Sequence, residues 1–204
     1  MIDVTLLILV ITIGISIWGF NTPSIQKKLI FNAFVVNKEG QWYRLLTCGF
    51  IHGDWLHLIV NMMVLYSFGT QVEAIYGIIF GEKAVYYFIL LYFGGIVLSI
   101  LPSYLKHRQN PGYNSLGASG GVAAIVFASI LFNPLQDIQL YGIINLPGIL
   151  MGTAYIVYSI YMNKRGGSTV NHSAHLWGAV YGLVYTVLLK PAVLLTFLHK
   201  LVDF

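Results

Sequence analysis

The sequence predicts an all-α polytopic membrane protein, and three observations support this fold class. Of the 204 residues, 57% are hydrophobic and 9% are charged, and the mean hydropathy is +0.77. Because about a quarter of the residues in soluble domains are charged, this composition excludes a water-soluble globular fold. The charged residues also leave six uncharged stretches, each with room for a spanning helix of about 20 residues: 4–26, 55–72, 84–105, 109–136, 138–163 and 166–189.

Six transmembrane helices are expected, because a helix satisfies all of its backbone hydrogen bonds within its own segment, as the lipid interior requires. The expected spans are 4–20, 54–77, 84–105, 118–132, 144–162 and 173–189. The first apolar stretch follows no basic segment and no clear small-residue cleavage site, so it is expected to be a retained span. Residues 1–204 are therefore expected to form a single membrane domain with a six-helix bundle.

The connections differ in length and composition. The first, 21–51, is long and mixes charges with aromatic residues such as Trp42, so it is expected to lie partly in the membrane interface. The apolar tail 191–204 is too short to cross the bilayer and is expected to lie along its surface. The net charge of +4 comes from basic residues placed singly or in pairs between spans. This placement indicates contact with lipid headgroups and no nucleic-acid partner.

Polar side chains within spans are candidate functional residues, because burying them in lipid is costly. They cluster at the starts of spans two, four and six, which lie on one side of the membrane because successive spans alternate in direction. The three clusters are His52, His57 and Asn61 in the first, Gly117-Ala118-Ser119-Gly120-Gly121 in the second, and Ala174-His175 followed by Gly178 and Gly182 in the third.

Ser119 and His175 are expected to lie at the same depth. About 21 and 22 Å of helix separate them from the opposite ends of their spans, which places both roughly 10 Å inside one face of a ~30 Å core. Gly178 and Gly182 form a GxxxG pattern that lets spans four and six approach closely. A contact between the serine and the histidine is therefore geometrically available.

This pair favours nucleophilic catalysis, because an imidazole that takes the Ser119 proton activates a weak nucleophile. Free N–H groups at the helix start, with His57 and Asn61, would stabilise an oxyanion. No acidic residue lies near His175 in the sequence, so a catalytic dyad is expected instead of a triad. The segment 171–173 is interpreted as an interfacial loop. The lone Cys48 forms no internal disulfide and is expected to be a small buried hydrophobe, and no metal or cofactor is expected.

The sequence resembles the rhomboid family of intramembrane serine proteases over essentially its whole length. The resemblance rests on Arg44, His52-x4-His57-x3-Asn61, Glu73, Gly117-Ala118-Ser119-Gly120, and Ala174-His175-x2-Gly178-x3-Gly182. It implies a protein that cleaves transmembrane segments of membrane proteins, with Ser119 as nucleophile and His175 as general base. It also implies an oxyanion site formed by His57, Asn61 and the Ser119 backbone N–H.

The same resemblance implies structural roles for His52, Arg44 and Glu73, the last as a buried hydrogen-bonded carboxyl. It implies that the connection before span six caps the site, and that the site of this multi-pass protein opens to the extracytoplasmic side of the cell membrane. Two positions depart from the family pattern. Ala123 stands where the family often has an aromatic residue against which the histidine packs, so Trp177 or another ring is expected to substitute. Tyr43-Arg44 replaces the usual Trp-Arg pair.

The sequence leaves two other functions open. One is a catalytically inactive relative that binds or escorts membrane proteins, against which the retained Ser119 and His175 argue. The other is a transporter in which imidazoles line a metal or proton pathway, although no carboxylate accompanies them within a span and an HExxH motif is missing. The histidines concerned are His52, His57, His172 and His175.

The basic residues conflict with the implied orientation. Eight of them fall on the side of the site, against three on the other, and the positive-inside rule places the more basic side in the cytoplasm. We follow the resemblance, because four of the eight lie in the long first connection, where Arg44 is expected to be structural. The eight are Lys27, Lys28, Lys38, Arg44, Lys106, Arg108, Lys164 and Arg165.

Overall fold

The computed structural model describes residues 3–140, 144–166 and 170–202 and confirms the all-α fold class. The helices are α1 (Val4–Asn21), α2 (Pro23–Leu29), α3 (Ala33–Glu39), α4 (Arg44–Thr47), α5 (Trp55–Phe80), α6 (Ala84–His107), α7 (Ser119–Phe132), α8 (Gly148–Arg165), α9 (His172–Leu189) and α10 (Ala192–Val202). Two short antiparallel pairs accompany them: β1 (Phe31–Asn32) with β2 (Asn114–Ser115), and β3 (Asp137–Leu140) with β4 (Ile144–Pro147).

Several of these helices have the length and apolarity of membrane spans. Among the described residues, Val4–Asn21 and the stretch Trp55–His107, which contains α5 and α6, are long and apolar enough to cross a membrane. A third span is present if α9 and α10, bent by 111° relative to each other, are counted as one. The helix α7 is apolar but has only 14 residues. The integral-membrane character is therefore confirmed, and the count of six spans stays a prediction.

The fifth expected span, 144–162, differs from the structure at both ends. Residues Ile144–Pro147 pair with β3, in the register Ile138 to Leu146, and α8 begins only at Gly148. Pro147 is in an extended conformation, with ψ of 138°, and has no N–H to give to a helix. At the other end, α8 continues to Arg165. The positive charges of Lys164 and Arg165 in its last turn stabilise the helix by interacting with the negative end of the helix dipole.

The central element of the bundle is α7, most of whose residues are buried. Small residues let its neighbours approach it closely: a Cβ on Gly95 of α6 would lie 2.7 Å from the Ala124 Cβ and 3.0 Å from the Gly121 Cα. In contrast, Gly148, Gly152 and Ser159 are the buried residues of α8. An apolar cavity of about 440 Å³ is lined by this helix together with α7, α9 and α10. The helix α8 is thus peripheral to a compact centre.

The first connection, 21–51, forms the short helices α2, α3 and α4 beside the start of α7. Asn32 ties it to the segment before α7, because its Nδ2 donates to the Pro111 carbonyl at 3.0 Å and to Asn114 Oδ1 at 3.0 Å. At the C-terminal end of the chain, the expected surface segment contains α10. Lys200 holds this helix against the end of α7, because its Nζ donates to the Phe132 carbonyl at 2.8 Å.

Candidate active site

The helices α7 and α9 touch through their backbones. A Cβ on Gly178 would overlap the Gly120 carbonyl oxygen and lie 3.0 Å from the Gly120 Cα. One turn further, a Cβ on Gly182 would overlap the Ala124 carbonyl oxygen and lie 2.7 Å from the Ala124 Cα. Only glycine fits at these two positions, so the GxxxG pattern of α9 is the seam along which it packs on α7.

Ser119 and His175 lie at the same end of this seam. Ser119 is the first residue of α7 and precedes Gly120, and His175 lies one turn before Gly178 on the same face of α9. Both side chains are partly exposed. Among the described residues, no hydrogen bond joins these two side chains.

The turn before Ser119 is shaped by Gly117. Its φ of 112° lies in the region that favours glycine, and its N–H donates to the Cys48 carbonyl at 2.9 Å. A Cβ at this position would lie 2.6 Å from His57 Cε1 and 2.8 Å from His57 Nε2. The His57 imidazole therefore packs directly on the turn, two residues before Ser119.

Two residues of α5 present polar groups near this turn. The helix start is fixed by Asp54, whose Oδ1 accepts the His57 backbone N–H at 2.8 Å. Asn61 is buried one turn later, and its Nδ2 donates to the His57 carbonyl at 2.8 Å. Since a side-chain amide has two N–H donors, this bond leaves Asn61 one N–H for a second acceptor.

His52 connects α1 to the same turn. The Ser16 hydroxyl donates to the Phe50 carbonyl at 2.9 Å and lies 2.9 Å from His52 Nδ1, while the Ala118 N–H donates to His52 Nε2 at 3.3 Å. These roles are consistent only if Nδ1 carries the proton and donates to Ser16. Burial, reinforced by the neighbouring His57, lowers the pKa of His52 to about 3. A neutral His52 thus holds the backbone next to Ser119.

The ring that packs against His175 comes from α8. The rings of Tyr155 and His175 are stacked, with centroids 5.7 Å apart and planes within 16°. Ala123 is buried with only its methyl group, and Trp177 is 45% exposed. The sequence predicts that Trp177 or another ring packs against His175, and in the structure this other ring is Tyr155. Tyr155 has no local sequence signal, because it lies twenty residues before His175 on another helix.

Residues 171–173 differ from their interpretation as an interfacial loop. His172 begins α9 and is buried, and Asn171 caps the helix by accepting the Ala174 N–H at 3.1 Å. The Asn171 Nδ2 also donates to Ser103 Oγ at 3.2 Å and to Ser115 Oγ at 3.1 Å. An asparagine just before an apolar helical pattern is an N-cap signal that identifies this residue.

Arg44 and Glu73 make the contacts of structural residues. One nitrogen of the Arg44 guanidinium donates to the carbonyls of Lys27 at 2.9 Å and Ile30 at 2.7 Å, which closes the first connection. The Glu73 carboxylate accepts the first two backbone N–H groups of α1 at 2.7 and 2.9 Å and the Thr5 hydroxyl at 2.6 Å. Its hydrogen bonding agrees with expectation, but it is half-buried where a buried carboxyl was expected.

Comparison with known proteins gives a consistent family match. Residues 39–192 match the Rhomboid domain model. The chain is 29% identical over 173 residues to RHOMBOID-like protein 12, mitochondrial, of Arabidopsis thaliana, covering 78% of this chain and 51% of that protein. It is 29% identical over 158 residues to the putative rhomboid protease YdcA of Bacillus subtilis, covering 78% and 71%. The rhomboid protease GluP of the same bacterium is 30% identical over 147 residues, covering 71% and 25%. The chain thus spans about half the length of several relatives.

Proposed function

Because the chain belongs to the rhomboid family of membrane proteins, we propose that it is an intramembrane serine endopeptidase with a dyad of Ser119 and His175. The observation that carries this proposal is the backbone contact of Gly178 with Gly120. That contact brings the starts of α7 and α9 together, which supports a hydrogen bond between serine and histidine during the proposed reaction. The neutral His52 then serves to hold the backbone beside Ser119.

The proposed reaction follows from the groups at the two helix starts. His175 takes the Ser119 hydroxyl proton while Oγ attacks the carbonyl carbon of the scissile peptide bond. The resulting oxyanion accepts hydrogen bonds from the Ser119 N–H, the remaining N–H of Asn61 and the His57 imidazole. His175 then protonates the leaving amine, which departs and leaves an acyl group on Ser119. Water, deprotonated by the same imidazole, releases the acid and restores the serine.

The proposed substrates are membrane proteins, cleaved in or near a transmembrane segment. Both Ser119 and His175 lie one helical turn or less inside the starts of apolar helices. This position at the ends of apolar helices supports a substrate segment that lies in or near the membrane. No cofactor takes part in the proposed chemistry, because the hydrolysis needs only the dyad, the oxyanion donors and water.

A serine-reactive fluorophosphonate, combined with a single-span substrate, tests the proposal on the purified chain. We expect labelling of the wild-type protein, loss of labelling in Ser119→Ala, and cleavage that the probe abolishes. The control is Ser24→Ala, which removes an exposed hydroxyl of α2. Substrate binding without labelling or cleavage would instead identify an inactive escort protein.

A further inference from the structure

We propose that Tyr155 of α8 is the positioning residue of the base, and that it holds the His175 imidazole in the orientation from which it takes the Ser119 proton. This inference rests on the proposed function and deepens it. It assigns to α8 a ring that the chain lacks at position 123 of α7. The orientation of His175 then depends on a helix that carries neither residue of the dyad.

The geometry of the rings supports this assignment. A parallel stack at 5.7 Å restricts rotation of the imidazole about its side-chain bonds while leaving both ring nitrogens at the edge free to bond. Tyr155 is itself backed by Phe127 of α7, at 5.9 Å and 47°. Phe127 is buried and lies one turn beyond Ala123. The order of rings is therefore Phe127, Tyr155 and His175, and it bridges the three helices.

The second tyrosine of this helix face contacts a different histidine. Tyr158 meets His172 edge to face at 5.4 Å, and His172 meets His175 at 5.7 Å and 75°. The parallel stack is thus particular to Tyr155 and His175, because the other two contacts are perpendicular. The stack on His175 depends on the position of α8. This helix buries few of its residues and borders the apolar cavity.

Three variants separate ring stacking from other roles of Tyr155. We expect Tyr155→Leu to lower kcat by about ten- to a hundredfold with little change in KM, because the base is misoriented while the substrate still binds. Tyr155→Phe keeps the ring and should cleave at nearly the wild-type rate. The double variant Tyr155→Leu with Ala123→Phe supplies a ring from α7 and should recover much of the lost kcat. Tyr161→Leu, an exposed tyrosine of the same helix, is the matched control and should change nothing.

A spectroscopic measurement reads the stack without substrate. In protein labelled at histidine, the His175 ring protons should show a ring-current shift by NMR, identified by its absence in His175→Ala. Because the His172 ring also contacts His175, the shift should persist in Tyr155→Phe and Tyr161→Leu and become clearly smaller in Tyr155→Leu. If Tyr155→Leu does not fold, Tyr155→Met replaces it in both assays, since its flexible side chain fills the space without a ring.

The outcomes separate this inference from the proposed function. If the wild-type protein neither cleaves nor reacts with a fluorophosphonate, the proposed function fails, while the NMR shifts still test the stack. If the wild-type protein is active and Tyr155→Leu keeps its kcat, the positioning role is overturned. A fall in kcat for Tyr155→Leu with the His175 shift unchanged would also overturn it, because Tyr155 would then support the bundle and not the imidazole.

Discussion

Asn61 has two side-chain N–H groups, and they are expected to have different roles, one structural and one catalytic. One amide N–H bonds to the His57 carbonyl, and we propose that the other binds the oxyanion. We expect Asn61→Ala to lower turnover by about 10²-fold, the usual cost of losing one oxyanion donor, while Ser119 still reacts with a fluorophosphonate. His57→Ala should act similarly. Initial rates of substrate cleavage measure the effect.

Asn21 provides a matched control for this prediction. Its Nδ2 makes the same bond to a carbonyl one turn back, that of Ile17, at 2.8 Å in α1, and it is exposed. Asn21→Ala should therefore cleave at the wild-type rate. A full rate for Asn61→Ala would show that this side chain only stabilises α5 and that the oxyanion site lies elsewhere.

Asn171 joins three elements through one side chain, and its loss should weaken both stability and activity. Asn171→Ala removes the cap of α9 and the bonds to Ser103 and Ser115. We expect the free energy of unfolding to fall by about 1–2 kcal/mol, with a lower cleavage rate because His175 lies in the next turn. Thermal unfolding in detergent and substrate cleavage measure the two effects. With Ser173→Ala as control, an unchanged unfolding midpoint for Asn171→Ala would contradict this role.

At the scale of elements, the sequence predicts the helices better than their ends. Long uncharged stretches are sufficient to locate α1, α5, α6, α7 and α9. The sequence does not predict the strand Ile144–Pro147, because a short apolar run is equally consistent with a strand and with part of a membrane helix. Those residues of the candidate site that lie at helix starts with recognisable spacing can be predicted from the sequence. Tyr155 cannot, because its stack on His175 arises from packing between separate helices.

The contact between α7 and α9 should not tolerate even one added methyl group. In Gly178→Ala, the new Cβ would overlap the Gly120 carbonyl oxygen, so the helices must separate. Since a misplacement near 1 Å can cost about 10²-fold in rate, we expect cleavage to fall by about that factor. Gly14→Ala is the matched control, because a Cβ there meets nothing within 4 Å. Equal cleavage rates for the two purified variants would contradict the seam.

At the scale of the whole molecule, the family resemblance and the distribution of basic residues indicate opposite orientations in the membrane. We propose that the site faces the extracytoplasmic side of the cell membrane, which places α10 in the cytoplasm. The eight basic residues on the site's side argue for the reverse. Of these, Arg44 is buried and bonded to backbone carbonyls, so its charge serves the fold of the first connection.

A reporter that is active only in the cytosol, fused after Phe204, decides the orientation. We expect activity from this fusion, because α9 runs from the site to the opposite face of the membrane. A second fusion, placed in the 108–112 connection on the site's side, should be silent. The opposite pattern would show that the basic residues and not the family resemblance determine the topology.

The central claim is that Ser119 and His175 act as one catalytic unit, and the cleavage rates of three variants test it most directly. Purified Ser119→Ala, His175→Ala and the double variant are each incubated with a single-span substrate, after thermal unfolding has shown that all three are folded. Because the two side chains perform one proton transfer and one attack, their effects should not add. We expect each single variant to fall to the background rate and the double variant to fall no further. Cleavage by Ser119→Ala at a rate near that of the wild-type protein would contradict the claim.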